Sequence, residues 1–436
     1  MSPGVERLPI DHLALQENYR LLAESLRPMI ACWNQSVIQD WPACRDALPS
    51  AWWEPLLTWS ESELYTLDEW ISSGDPVYRT AISSKVPDGF NEYMEVLQAL
   101  IQFPIFTAFR SLSGENRLRM TAKKQHEISC LLPFIETQML TRKIERGLDI
   151  GGGAGHLARS LVAELSLPMI SIDRDPALQD LGRSLLKKHG MKESETSLRF
   201  LSSEVLAEEQ QDIDAYFQGS CISLGLHTCG PLAWTHLFKS SESLCLLNFG
   251  CCYDRMTPER DCHQSLFAKQ HRLPISSFAL FLATRGRRRT PHELVMQERV
   301  NSYRLALHVF LQEEGLCKGF IAVGDAARSS YLQGFAAYAE DRMKALGWAD
   351  RFSAVRAQSL VEKPRMQRAM REFFLVNVLR NCFARPLEVL LLLDRALWLC
   401  EQGREVSLFQ FFDQRHSPRN LGIFASYLTA IPSFRA

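Results

Sequence analysis

Residues 148–157 read LDIGGGAGHL, with glycines at Gly151, Gly153 and Gly155 and an acid, Asp149, two residues before the first of them. An apolar stretch leads into this loop, and a helical pattern follows it. Glycine suits such a turn because the backbone can bend sharply and a ligand can approach without a Cβ in the way. The stretch therefore predicts a strand, a tight ligand-binding turn and a helix.

The alternation of strand, turn and helix continues beyond this loop. Strands are predicted at 147–151, 168–173, 198–203, 221–227 and 244–250, and helices at 156–164, 176–189 and 231–240. Such alternation is typical of βαβ units that build a parallel sheet. A final helix over 386–401 leads to two candidate strands, 405–411 and 421–426, which would close the sheet as a hairpin. We therefore expect an α/β, Rossmann-like fold.

Helical patterns flank this predicted sheet. Residues 1–117 are expected to form a helical N-terminal unit, because apolar residues recur there at helical spacing and six of the nine tryptophans lie between residues 33 and 70. Residues 118–436 would then form the α/β domain, with a helical insertion at about 255–385 between its fifth and sixth strands.

The composition is that of an ordinary globular protein. Hydrophobic residues make up 46% and charged residues 23% of the chain, and the formal net charge is -1, so RNA binding would need a local basic patch. We expect no leader and no membrane span, since the longest apolar run, 387–399, contains three charged residues. Twelve scattered cysteines favour a reducing compartment, and we expect the cytoplasm, with the nucleus as the alternative.

The glycine spacing separates two classes of cofactor. A dinucleotide loop reads G-x-G-x-x-G, whereas alternate glycines after an acid are typical of S-adenosylmethionine (SAM) loops. Asp149 is then expected to hold the methionine amino group or a water beside it, and Asp173, 24 positions later, to accept hydrogen bonds from the ribose. Ser203 is expected near the adenine. We expect SAM as the cofactor, with a nicotinamide dinucleotide or a degenerate loop as the alternatives.

Four further blocks share a pattern with one family. MTAKKQHE at 120–127 is similar to M-S-P-K-K-x-H-E, GLHTCGPL at 225–232 to G-L-H-x-C-G-D-L, GCCYD at 250–254 to G-C-C-Y-H, and the segments LDR, EQG, FD and SPRN between 393 and 420 to L-D-R, E-x-G, F-D and S-P-R-N. The chain thus resembles, over about 118–427, the methyltransferase-like proteins formerly described as ribosomal RNA adenine dimethylase domain-containing proteins. The resemblance implies a class I SAM-dependent methyltransferase.

Two positions depart from the family pattern. Pro231 replaces an acid after the fourth predicted strand, and Asp254 replaces a histidine after the fifth. Both changes fall where the acceptor would react, so they affect the catalytic assignment and not the SAM loop. In class I enzymes residues just before the first strand often contact the methionine carboxylate, and we expect this of Lys124 and His126, with an exposed helix face as the alternative.

Ligands bind beyond the carboxyl ends of the strands in an open parallel sheet. This rule places the candidate catalytic residues around one crevice: His227, Cys229, Cys252, Tyr253 and Asp254. His227 is the preferred general base, because histidine is the side chain that titrates near neutral pH. Two alternatives stay open, namely a cysteine thiolate that adds to a pyrimidine and a zinc site. Since the chain has no C-x2-C pair, we expect no metal.

A zinc site would draw on His227 and the strand-end cysteines, with Cys262 and His263 as further ligands. Adjacent cysteines at the end of a core strand are also common as small packing groups. The arginine run, Arg285, Arg287, Arg288 and Arg289, could bind phosphates or lie in an exposed loop.

The sequence therefore predicts a SAM-dependent methyltransferase with a macromolecular acceptor. RNA is slightly favoured over protein, on the arginine run and on the resemblance. The alternative is a catalytically inactive scaffold or interaction protein that keeps the methyltransferase fold.

Overall fold

The computed structural model describes residues 11–114, 120–188, 193–194, 197–205, 211–286 and 288–427. The strands are β1 (Arg146–Ile150), β2 (Met169–Asp173), β3 (Leu198–Ser202), β4 (Gly219–Cys229), β5 (Ser243–Cys251), β6 (Glu405–Gln410) and β7 (Leu421–Ser426). The α-helices before β1 are α1 (His12–Leu26), α2 (Ile30–Trp33), α3 (Ala43–Asp46), α4 (Ser50–Trp53), α5 (Glu61–Ser73), α6 (Pro76–Ile82), α7 (Asp88–Leu100) and α8 (Ala122–Arg142). The later α-helices are α9 (His156–Leu165), α10 (Pro176–Lys188), α11 (Gln211–Asp214), α12 (Leu232–Lys239), α13 (Pro258–Asp261), α14 (Leu266–Gln270), α15 (Ser277–Arg285), α16 (Pro291–Glu313), α17 (Arg328–Leu332), α18 (Phe335–Ala345), α19 (Ala354–Glu362), α20 (Pro364–Arg380) and α21 (Ala384–Glu401).

The strands form one sheet in the order β3-β2-β1-β4-β5-β7-β6. The first five are parallel, and β7 runs antiparallel to both β5 and β6. The predicted α/β Rossmann-like fold and the closing hairpin are therefore confirmed. The strand ends lie within two residues of the predicted ones, the largest difference being the extension of β4 at both ends.

The sheet is apolar on both faces, as a parallel sheet covered by helices requires. Because successive strand residues point to opposite faces, Leu148 and Ile150 share one face of β1, where they pack in a cluster with Phe217. On the other face, the ring of Phe134 from α8 lies 5.0 Å from that of Phe411 and 5.1 Å from that of Phe424. Each such buried side chain stabilises the fold by about 1.5–3 kcal/mol.

The chain divides into two compact units. The first contains the sheet and consists of the described residues of Met1–Glu24, Leu100–Thr284 and Leu387–Ala436. The second is helical and consists of Ser25–Ala99 and Arg285–Pro386. These limits differ from the boundary at residue 117 and the insertion at 255–385 derived from the sequence. The early helices bury their apolar faces together with helices from the segment 285–386, which are distant in the sequence.

Tryptophans and several long-range polar contacts stabilise the second unit. The Trp52 ring lies 5.3 Å from that of Phe90. Arg380, at the end of α20, donates hydrogen bonds to the carbonyls of Cys32 at 2.8 Å and Gln35 at 2.6 Å, and so satisfies backbone oxygens at the end of α2. In neither unit is any described helix both long and apolar enough for a membrane crossing.

Candidate active site

The glycine loop joins the end of β1 to the start of α9. Gly151, Gly153 and Gly155 have φ angles of +69°, +56° and +65°, a left-handed region that a residue with a Cβ enters only at a cost. The backbone N–H of Gly153 donates to Oδ2 of Asp173 across 2.8 Å. The sharp turn that the glycine spacing predicts is thus present, and its tip is tied to the end of β2.

Asp149 lies inside β1 and is only 2% exposed. Its Oδ2 accepts no hydrogen bond from any residue that the structure describes. Burial raises the pKa of Asp149 to about 6, and the nearby ammonium of Lys124 opposes this rise. A buried carboxylate oxygen with spare acceptor capacity suits the ammonium group of the methionine part of SAM. The residue therefore fits the predicted cofactor role on chemical grounds.

A cleft of about 240 Å³ opens at the carboxyl ends of the parallel strands. It is lined by residues that end or follow β1 to β5, among them Gly151, Asp173, Ser203, Cys229, Pro231 and Arg255. The N–H of Ser203 donates to the carbonyl of Asp173 across 2.9 Å, which ties the ends of β3 and β2 together. The cleft brings the predicted ribose and adenine contacts together with one predicted catalytic cysteine. This edge is where an open parallel sheet binds its ligand.

Glu127, on α8, is the centre of a buried charged cluster. It is fully buried, and its Oε1 lies 2.6 Å from Nε2 of His227 and accepts a 2.7 Å hydrogen bond from Oγ of Ser417. Nζ of Lys124 lies 3.4 Å from its Oε2. His227 and Lys124 hold the pKa of Glu127 at about 2 although burial opposes this. The carboxylate is therefore ionised, and Lys124 interacts electrostatically with both Glu127 and Asp149.

His227 owes its orientation to an irregularity in β4. The pairing of β4 with β5 shifts register between Leu226 and Thr228, and His227 between them has a φ of +67°. A left-handed residue that is not glycine costs of order 1–3 kcal/mol and is typical of functional sites. Its side chain keeps 18% of its surface exposed while it reaches Glu127. The structure thus places His227 at a bulged strand end, paired and partly accessible.

His126 takes a different direction from its neighbour Glu127. Its ring stacks on that of His416 at 4.6 Å, and its Nε2 accepts a 3.2 Å hydrogen bond from the N–H of Asp413. Burial and His416 lower its pKa. His126 contacts the loop after β6 and does not line the cleft. The cofactor contact of His126 stays a prediction, and the contacts seen here are with the loop after β6.

Three thiols converge at the ends of β4 and β5. The Sγ atoms of Cys229, Cys251 and Cys252 all lie within 4.8 Å of one another, and those of Cys229 and Cys251 are 3.2 Å apart. Hydrogen bonding with Cys251, supported by Arg255, lowers the pKa of Cys229, and the same proximity raises the pKa of Cys251. The cluster therefore favours one thiolate shared among three sulfurs.

Neither Tyr253 nor Asp254 lines the cleft at the carboxyl ends of the strands. Tyr253 is fully buried, its hydroxyl lies 3.4 Å from the carbonyl of Gly250, and burial raises its pKa. A side chain in that position cannot touch an acceptor, so the predicted catalytic role of Tyr253 does not fit. Asp254 is exposed and its Oδ1 accepts a 3.1 Å hydrogen bond from Thr284, and it does not line the cleft.

The arginine run lies in the second unit and is largely engaged in ion pairs. Arg288 donates from Nε to Glu69 across 2.8 Å, and Arg289 donates from Nε to Asp68 across 2.9 Å. Both carboxylates are buried, so the two arginines neutralise charge inside the unit. Arg287 falls outside the described residues. Arg288 and Arg289, which were predicted to bind phosphates, instead each form an ion pair with a buried carboxylate of the same unit.

Two residues of the site escaped the sequence analysis. Glu127 was quoted within the block at 120–127 but received no role, and only its burial against His227 reveals one. Arg255 lines the cleft beside Cys229, directly after the residues proposed for catalysis. A charged residue near a predicted strand end was the available signal, but sequence alone does not show which neighbour faces the cleft.

Comparison with known proteins gives a match to one domain profile and likenesses to solved structures. Residues 123–259 match the sequence profile of a methyltransferase domain. Three solved structures are similar, each with a TM-score of 0.22. A proposed sarcosine dimethylglycine methyltransferase from Galdieria sulphuraria is 14% identical, and the match covers 29% of this chain and 46% of that protein. TrmN from Thermus thermophilus is 17% identical, and the match covers 37% of this chain and 44% of that protein. The plantazolicin methyltransferase BpumL, solved with S-adenosylhomocysteine (SAH), is 12% identical over 71% and 90%.

The chain thus spans less than half the length of the first two of these proteins. The profile match covers β1 to β5, the glycine loop and the strand ends described above. The fold is that of a class I methyltransferase, and the domain indicates SAM as the cofactor. When bound, SAM supplies an activated methyl group, and Asp149, the glycine loop, Asp173 and Ser203 are the residues that fit it.

Proposed function

We propose that this chain is a SAM-dependent methyltransferase that modifies a macromolecule, with RNA preferred over protein. The observation that carries the proposal is the pairing of His227 with the buried carboxylate of Glu127, two residues along β4 from Cys229 in the cleft. A general base at this edge of the sheet would lie where an acceptor meets the methyl donor.

The pair is suited to proton removal from the acceptor. Because Glu127 is ionised, its Oε1 accepts a hydrogen bond from the N–H at Nε2 of His227, which leaves Nδ1 as the basic nitrogen of the neutral ring. After Nδ1 takes a proton, the carboxylate stabilises the imidazolium and keeps its orientation. The protein then has only to align the acceptor with the donor, since SAM carries its own leaving group.

A basic cavity in the second unit supports a nucleic-acid acceptor. The cavity has a volume of about 380 Å³ and is lined by four arginines and one acid: Arg285, Arg289, Arg304, Arg328 and Glu293. Arginine clusters favour phosphate groups, and each phosphate contact releases counterions. Since the whole chain is almost neutral, RNA would need a local cluster of arginines such as this one, in which Arg289 and Arg304 also pair with Asp68 and Asp325.

The alternative is a methyltransferase-fold scaffold without activity. It is favoured by Pro231, which lines the cleft at the position where the resembling family has an acid. A scaffold would still bind the cofactor through the glycine loop, so cofactor binding alone does not separate the two functions.

The experiment is methyl transfer from tritium-labelled SAM to total cellular RNA and to total protein, with ribonuclease and protease treatment to assign the label. We expect label in RNA that His227→Gln abolishes and that the exposed His12→Gln leaves unchanged. Label in protein alone would correct the acceptor, and no label in either fraction would favour the scaffold.

The arginine cavity has its own test. Arg285→Ala, Arg304→Ala and Arg328→Ala together should weaken RNA binding and reduce the slope of log affinity against log salt by about two to three. A matched control removes the same charge from exposed arginines of the same unit, Arg351, Arg356 and Arg365. Equal losses in both triple variants would show that the cavity has no special role.

A further inference from the structure

The geometry points to a metal site that the methyltransferase fold does not require. We propose that Cys229, Cys251 and Cys252 bind one zinc ion through their three thiolates, with the fourth coordination position open to solvent or substrate. The site adjoins the cofactor cleft, since Cys229 lines that cleft, but none of the residues that fit SAM at the glycine loop belongs to it, and metal binding can be measured without methyl transfer.

The spacing of the sulfurs suits zinc. A zinc–sulfur bond is about 2.3 Å long, so two thiolates on a tetrahedral ion lie roughly 3.8 Å apart. The three Sγ atoms lie within 4.8 Å of one another, and the Cys229–Cys251 pair is 3.2 Å apart. Side-chain movements of roughly 1 Å or less would therefore bring all three to one ion. Among the residues that the structure describes, these form the one group of three or more His, Cys, Asp or Glu side chains so arranged.

The backbone explains how two strands deliver three thiols to one point. Cys229 and Cys251 are in-register partners on the parallel strands β4 and β5. Consecutive residues of a strand normally point to opposite faces, so Cys251 and Cys252 would diverge. Cys252 instead has a φ of +50° and begins the turn after β5, and its thiol joins the other two. A left-handed cysteine costs free energy, and such strain is typical of ligand sites.

A bound cation would stabilise all three thiols of the cluster as thiolates. The guanidinium group of Arg255 lines the cleft together with Cys229. Three thiolates on a divalent ion leave a net charge of minus one, which Arg255 would offset. Cys229 and Cys252 are partly exposed, so an ion can reach them. Soft sulfur ligands without a carboxylate select zinc over magnesium or calcium.

Metal analysis of the purified, reduced protein is the direct test. After incubation with zinc sulfate and desalting, we expect about one zinc per chain, because structural and catalytic thiolate sites bind tightly. Cys229→Ser, Cys251→Ser and Cys252→Ser should each lower the zinc content at least tenfold. Cys400→Ser is the matched control, a partly exposed cysteine on α21 outside the cluster, and it should keep the zinc. Replacement by cobalt should give a thiolate charge-transfer band that is lost in the same three variants.

Alkylation of the wild-type protein covers the case in which a variant does not fold. Zinc should protect Cys229 and Cys252 from iodoacetamide at least tenfold and leave Cys400 equally reactive, as read by mass spectrometry. The proposal is overturned if the reduced protein holds less than about a tenth of a zinc with all three thiols reactive. Equal zinc content in Cys229→Ser and the wild type would overturn it too, as would a Cys229–Cys251 disulfide with no metal uptake after reduction. None of these results depends on methyl transfer, so they separate this proposal from the proposed activity.

Discussion

His227 donates a hydrogen bond from Nε2 to Oε1 of Glu127 across 2.6 Å, and this contact joins the end of β4 to helix α8. The two residues are 100 positions apart in the chain. Because Glu127 is fully buried and its pKa is held at about 2, the carboxylate is ionised at any pH at which an enzyme would act. The pair fixes the tautomer of the histidine and leaves Nδ1 basic.

Replacing the proposed base should remove activity and spare the cofactor site. We expect His227→Gln to lower the rate of methyl transfer by about 10²–10⁴, the usual contribution of a general base. SAH affinity, measured by calorimetry, should stay within about a factor of two. A variant with full activity would show that the acceptor needs no base from His227.

Glu127 acts through His227, so its effect should appear in the pH dependence. In Glu127→Gln the neutral ring is favoured, because the carboxylate no longer stabilises the imidazolium. The ascending limb of the pH–rate profile should therefore move to lower pH, and the maximal rate should fall. A rate that falls equally at every pH, with an unmoved limb, would indicate a merely structural role. Ser417→Ala removes another partner of Glu127 and is the control.

Cofactor binding should weaken in acid because of Asp149. Its pKa is raised from 3.8 to about 6 by burial, so the folded protein loses stability as pH rises from about 4 to about 6, and a bound ammonium group would offset this loss. Below that pH the carboxyl is protonated, and we expect SAH affinity to fall roughly fivefold between pH 6 and pH 5. Asp149→Asn should bind weakly at every pH. Equal wild-type affinities at pH 5 and pH 7.5 would remove Asp149 from the cofactor site.

Asp173 is predicted to contact the ribose from the end of β2. Asp173→Ala should weaken SAH binding by about 1–3 kcal/mol, through the lost hydrogen bonds and the lost tie to Gly153. Asp180→Ala, on the exposed surface of α10, is the matched control and should change nothing. Calorimetric titration measures both. An unchanged affinity in Asp173→Ala would show that the ribose lies elsewhere.

The buried ion pairs of the second unit should dominate its stability. Arg289→Ala leaves Asp68, which is fully buried, without its charged partner, and we expect a loss of about 3–5 kcal/mol in the free energy of unfolding. Arg304→Ala breaks a pair with Asp325, which is 98% exposed, and should cost about 0–1 kcal/mol. Urea unfolding compares the two. Equal small losses would mean that Asp68 is solvated or protonated once its partner is gone.

The sheet could be predicted because its signals are local. The glycine loop, the apolar strand cores and the helix breaks lie within short windows, and the strand ends were placed to within two residues. The division into units could not be predicted, since the partners of the early helices lie beyond residue 284. No window of sequence reports which distant helix covers an apolar face.

The candidate site could be predicted only where its signals are local in the sequence. The roles of Asp149, Asp173 and Ser203 stay predictions drawn from their places in and after the strands, whereas the side-chain directions depend on backbone irregularities. The bulge at His227 and the left-handed turn at Cys252 decide that one side chain meets Glu127 and that three thiols converge. The turn after β5 also buries Tyr253, so a residue predicted to be catalytic lies away from the surface.

Calorimetric titration of the purified protein with SAH tests the central claim most directly, since a working methyltransferase must hold its cofactor in the cleft between Gly151 and Asp173. We predict one site per chain with micromolar affinity, about -8 kcal/mol, weakened in Asp173→Ala and unchanged in Asp180→Ala. A correctly folded protein that binds no SAH up to millimolar concentration would contradict the account.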